Sequence, residues 1–214
     1  MKRMRIAVLL TVFLCCACGA AQAGTPTPPA AGTILFEDHF DQPRSGWGVR
    51  SDESGVAVYD DGGLRLLVRS AYEDVWSTAG QTLANVRVDA VASRKAGPSN
   101  NVFGLICRYI DRQNFYAFLF TSDGYYGIAE RKEDEFRLIG ANALQYSDAL
   151  AATQDHYWVG ARCDGNELAL YLNGNVLQTA PAENTSAGDI GVLAGAFEQA
   201  NVEIRFDDFT VRQP

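Results

Sequence analysis

Histidine is nearly absent from this chain of 214 residues: only His39 and His156 occur, and no G-x-S-x-G context accompanies a serine, so a Ser-His-Asp nucleophile arrangement lacks its parts. Cations are scarce too. There are 18 Lys plus Arg against 26 Asp plus Glu, and Lys2, Arg3 and Arg5 sit at the extreme N-terminus. A net charge of -8 with no basic cluster repels phosphate backbones, which excludes nucleic acid as a partner and favours neutral ligands. Beyond residue 23 only Cys107 and Cys163 remain, without CxxC spacing or a neighbouring His, which excludes a thiol metal site or cysteine nucleophile. No sustained helical period and no βαβ pattern occur, which excludes parallel α/β folds. The N-terminal apolar run, Ile6 to Phe13, is too short to span a bilayer. What is present is 47% hydrophobic and 11% aromatic residues, enough for one globular core.

Residues 1–23 read as an export signal, with a basic start, an apolar run and then small residues. Two processing outcomes stand side by side. Ala21-Gln22-Ala23 fits ordinary signal cleavage before Gly24, whereas Cys15-Cys16-Ala17-Cys18-Gly19 resembles a bacterial lipobox with Cys18 as the lipidated residue. The lipobox reading departs from the usual pattern at Cys15, where Leu is common; Leu14 lies one residue earlier. The protein is therefore expected outside the cytoplasm, anchored to a membrane through lipid on Cys18 at the cell surface or in the periplasm, or else secreted. Residues 19–32, rich in Pro, Ala, Gly and Thr, form a partly extended tether before a domain over 33–214. In an oxidising compartment Cys107 and Cys163 are either bridged or two separate buried thiols; spacing alone does not choose.

From Thr33 onward the pattern is one of short strands. Gly55–Tyr59 and Leu64–Val68 flank Asp60-Asp61-Gly62-Gly63, a hairpin signal, and Asn173-Gly174 is another. Val86, Val88 and Ala90 alternate with Arg87 and Asp89, the period of a half-buried strand. The central stretch, Asn100 to Arg131, reads as a meander: Val102–Tyr109, a turn at Asp111–Asn114, Phe115–Phe120, and a turn at Asp123-Gly124. Residues 140–154 fit no strand and suggest a helical turn near Leu144 or Leu150. The expected fold class is all-β, a two-sheet antiparallel sandwich or barrel.

GLICRYIDRQNFYAF (104–118), ARCDGNELALYLNGNVL (161–177) and IRFDDFTV (204–211) resemble the concanavalin A-like lectin and glucanase superfamily. They are especially similar to laminin-G-like and 3-keto-disaccharide-hydrolase-like domains. The resemblance runs from Ile34 to Val211 and implies a jelly roll of two antiparallel sheets, one concave, with the terminal strands paired. Its motifs concern fold more than function.

A carbohydrate site needs flat aromatic faces for the apolar side of a sugar and donors and acceptors for its hydroxyls. On this basis Arg108 and Tyr116 are expected on the concave face, with Trp76, Tyr126 and Glu73 at its edge. The competing reading makes Arg108 half of a structural ion pair and the tyrosines core residues with their hydroxyls at the rim. The hydrolytic members of the superfamily carry Glu-x-Asp-x-x-Glu, which is missing here, and Glu133-Asp134-Glu135 reads as a solvated turn. If the terminal strands pair, Glu37, Asp38, Asp41, Asp207 and Asp208 become neighbours and a candidate structural calcium set. The sequence thus points to an exported module that binds a glycan or cell-envelope polysaccharide without catalysis. The alternatives are a 3-keto-disaccharide hydrolase-like enzyme and a structural or protein-binding surface domain.

Overall fold

The computed structural model describes residues 32–42, 45–133, 135–151, 155–184 and 186–214; the export signal, Cys18 and nearly all of the tether lie outside them, as does Asp134. The first half of the chain forms β1 (Ile34–Asp38), β2 (Arg50–Ser51), β3 (Gly55–Asp60), β4 (Gly63–Val68), β5 (Asp74–Thr78), β6 (Val86–Ala96), β7 (Asn101–Asp111) and β8 (Asn114–Phe120). The second half adds β9 (Tyr125–Lys132), β10 (Glu135–Ile139), β11 (Gln145–Tyr146), a single helical turn α1 (Asp148–Ala151), β12 (His156–Asp164), β13 (Glu167–Leu172), β14 (Asn175–Pro181), β15 (Asp189–Ala196) and β16 (Val202–Arg212).

These strands make two antiparallel sheets. One runs β14-β13-β12-β6-β16-β4-β3-β2, with β1 also on β16, and the other runs β10-β9-β8-β7-β15-β5, with β11 on β9. The first and last strands pair, Glu37 opposite Thr210, while β16 holds β4 along its first half and β1 along its last. The architecture is an all-β jelly-roll sandwich. Tight hairpins form where residues accept positive φ: Asp61 and Gly62 at 48° and 71°, Asn173 and Gly174 at 49° and 77°.

Alternation decides what faces the core. Val86, Val88 and Ala90 on β6, Leu168, Leu170 and Leu172 on β13, and Tyr116, Phe118 and Phe120 on β8 all point between the sheets. Cys107 of β7 and Cys163 of β12 meet there and form a disulfide joining one sheet to the other, with Cα atoms 6.8 Å apart. Among the described residues of the region 140–154 lie β11 and α1, whose Leu150 plugs the core.

An antiparallel sheet ordinarily leaves one face polar and wet. The smaller sheet does not. Its outer face carries a second apolar cluster, Val102, Ile106, Phe115, Ala117, Leu119, Ala129 and Leu193, with Leu138, Leu144 and Phe197 packed against it. Leu138 and Leu144 lie over Gly127, where a Cβ would collide with both side chains. The central strands are therefore apolar on both faces, and the segments after β9 and β15 close over part of the outer one.

Candidate functional site

The outer apolar face leaves a trough of about 380 Å³, lined by residues of β5, β7, β8, β9, β10 and β15 and by the turns beside them. Trp76 of β5 closes one side. Its ring stands 6.1 Å from that of Phe115, which in turn lies 5.6 Å from Tyr109. At the rim, Tyr72 is 76% exposed and Phe136 47%. Tyr72 adopts φ 60°, a left-handed conformation unfavourable for a bulky residue, and its N–H donates to the carbonyls of Ala196 and Phe197 at 2.9 Å each.

Two charged residues reach this trough, Asp74 and Arg131. A Cβ on Gly195 would strike the Asp74 carboxylate and Val102, so glycine is what lets that carboxylate lie over β15. Asp74 still reaches solvent, but the crowding around it withdraws enough water to push its carboxyl above the usual range. The nearby Arg131 charge opposes this shift and Glu73 adds to it.

On the other side of Trp76 lies a second, polar depression of about 490 Å³, which includes Arg50, Asp52, Ser54, Tyr109 and Arg112. The guanidinium carbons of Arg112 and Arg50 sit 5.5 and 6.0 Å from the Trp76 ring centroid, within cation-π range. Arg50 also pairs with Asp52 at 2.8 Å and holds that carboxyl below its usual range. Arg112 has no carboxylate partner among the described residues. Trp76 is thus a wall shared by an apolar trough and a cationic, hydroxyl-lined cup.

The residues singled out from sequence divide. Trp76 lines both depressions; Glu73 precedes Asp74 in the chain, but its side chain lines neither of them. Tyr116 and Tyr126 do not join them: both belong to the core between the sheets, where the Tyr116 hydroxyl accepts from Asn184 N–H at 2.8 Å and the Tyr126 hydroxyl donates to Gln145 at 3.1 Å. Arg108 is not on the outer face either. It is 1% exposed, and its guanidinium donates to three backbone carbonyls, Ala84 (3.2 Å), Asn184 (2.8 Å) and Gly165 (2.8 Å). The reason is a bulge in β7 between Cys107 and Asp111, with Arg108 at φ 52°, which breaks the alternation that would have set Arg108 beside Ile106.

The calcium set is likewise not assembled. Pairing of β1 with β16 brings the two segments together, but Asp38 is buried and its carboxylate accepts from the Trp47 indole N–H (2.9 Å), the Phe40 N–H (2.8 Å) and the Ser45 hydroxyl. Asp208 turns to His39 at 2.8 Å, raising the imidazole's pKa. Among the described residues no three His, Cys, Asp or Glu side chains group closely enough to hold a metal ion.

Sequence reasoning missed Tyr72, Asp74, Phe115, Leu119, Phe136 and Phe197 as site residues. For Phe115 and Leu119 a signal existed: NFYAFLF is apolar on both faces, so its outer face also needs a cover or a ligand. Tyr72 and Phe197 lie in turns, and nothing local marks them.

No family model matches this sequence, and no curated protein is similar enough in sequence to match it. Solved structures do match in shape. The carbohydrate-binding module CBM66 from Bacillus subtilis superposes with a TM-score of 0.63 at 14% identity, covering 79% of this chain and 96% of that one. A protein of unknown function with a galectin-like fold, also from Bacillus subtilis, gives 0.63 at 15% identity over 86% and 97%. The Bacillus licheniformis beta-glucanase gives 0.59 at 12% identity over 86% and 99%. Likeness at such identities is one of fold, and by that fold the chain is a concanavalin A-like jelly roll.

Proposed function

We propose that the protein is a non-catalytic glycan-binding module, held outside the cytoplasm by lipid on Cys18, with its sugar against Trp76. The observation that carries this is the Trp76 ring itself, partly buried at the head of the polar cup and flanked by Arg50, Asp52, Ser54 and Arg112. An aromatic face takes the apolar side of a pyranose, and the surrounding donors and acceptors match its hydroxyls. The fold likeness to a carbohydrate-binding module and a beta-glucanase supports a saccharide ligand.

Binding rather than hydrolysis is favoured by the carboxylates. A glycosidase needs two of them flanking the scissile bond. Asp74 alone lines the trough among the described residues, and Asp52 in the cup is tied to Arg50. The disulfide between Cys107 and Cys163 supports an oxidising, extracytoplasmic compartment. A glycan array probed with the full-length protein tests the reading: retention of a defined glycan set that Trp76→Ala abolishes while the fold is unchanged is the expected result. An array with no retained glycan overturns it.

A further inference from the structure

The trough and the cup meet at Trp76 but differ in chemistry. Apart from Asp74 and Arg131, the trough would offer sugar hydroxyls only apolar neighbours such as Ile106, Leu119, Leu193 and Phe197, and a hydroxyl buried without a partner is destabilising. The trough's lining comes from all six strands of the path β10-β9-β8-β7-β15-β5, spaced roughly 4.8 Å apart, so it runs across the sheet from Trp76 to Phe136. At its far end Phe136 of β10 is half-exposed, an apolar rim that water covers poorly. The cup on the other side of Trp76 holds the guanidinium of Arg112, which has no carboxylate partner among the described residues in a protein of net charge -8.

We infer that the ligand is an acidic acylated glycan: its negatively charged sugar sits in the cup against Trp76 and Arg112, and its hydrocarbon chain lies in the trough toward Phe136. This deepens the glycan-binding reading and rests on it. The charge at the cup and the continuity of the two depressions through one side chain select this occupant over a neutral polysaccharide or a bare lipid.

The test is calorimetric titration of the full-length protein with octyl β-glucuronide, octyl β-glucoside, methyl β-glucuronide and octanoate, each below its micelle concentration. Octyl β-glucuronide is expected to bind most tightly. Losing the tail should weaken binding at least tenfold, since each buried methylene contributes a factor of about four. Losing the carboxylate should weaken it severalfold, a gap that closes in Arg112→Gln and at high salt. Phe136→Ser, at a half-exposed position that should not affect folding, is expected to weaken octyl but not methyl β-glucuronide. Equal affinity for the methyl and octyl glucuronides would overturn the tail assignment while leaving the sugar reading intact. Equal affinity for octanoate and octyl β-glucuronide would overturn the sugar's part in it. Octyl glucuronide affinity that falls as protein concentration rises would give the trough to a second copy of the chain instead. Failure of every saccharide, together with an empty glycan array, would remove the glycan reading itself.

Discussion

Arg108 is charged and buried, and every hydrogen bond it makes goes to backbone carbonyls from three separate connections. Burial pulls its pKa down, yet a guanidinium has range to spare and stays charged. Replacing it with Ala removes the donor from three backbone carbonyls and empties the space of a buried side chain, so Arg108→Ala is expected to lose about 1–3 kcal/mol in chemical denaturation. Arg108→Lys should recover under half of that, because one ammonium cannot serve three diverging acceptors. Asp74 behaves in the opposite sense. Its folded pKa is raised, so the folded state binds the proton more tightly than the unfolded chain does, and stability falls as pH climbs from the ordinary carboxylate value of about 3.9 through the folded one. Asp74→Asn should therefore melt with the parent protein near pH 3 and above it at pH 8. Equal melting temperatures at pH 8 would show that the carboxylate is not held at a disadvantage.

At the scale of elements, the turn between β4 and β5 holds Tyr72 in a left-handed conformation that suits glycine far better. Its ring is 76% exposed at the rim of the trough, where the proposed ligand would meet it. Tyr72→Gly is expected to leave thermal stability equal or higher while weakening ligand binding severalfold, whereas a merely structural tyrosine would lose stability with no separate effect on binding. The sequence was informative about most elements because period-two alternation survives wherever strands run regularly. β6, β8 and β13 present inward the residues their patterns require. It failed at β7, where one bulged residue reverses the face of Arg108, since no composition signal marks a bulge at an Arg. It also separated the two faces of β8 correctly, and it is the outer face, not the tyrosine's, that lines the trough. Tyrosines look like ligand contacts and Leu119 and Phe115 like core, yet here the tyrosine points between the sheets. Trp76, expected at the edge of a site, lies on the edge strand β5 and lines both depressions.

At the scale of the molecule, the two sheets are held by their shared apolar core and by one covalent link, Cys107 to Cys163, between strands 56 residues apart in sequence. Closing a loop of that length lowers the entropy of the unfolded chain by an amount equivalent to roughly 4 kcal/mol. For a domain of this size each kcal/mol corresponds to about 2–4 °C, so the double variant Cys107→Ala with Cys163→Ala should melt roughly 10 °C lower. The link lies beside Arg108 in the chain, and Arg108 in turn holds the backbone at Ala84, Gly165 and Asn184. Loss of the disulfide should therefore loosen that end of the sandwich first, seen as faster amide exchange at Gly165 and Asn184. The Trp76 wall and the trough lie on the outer face of the smaller sheet, away from the bridged interior, so the double variant should bind the same ligand with unchanged affinity at temperatures well below its melting point. Binding lost in parallel with stability would instead mean that the trough depends on how the two sheets are clamped together, and that recognition is a property of the whole sandwich rather than of one of its faces.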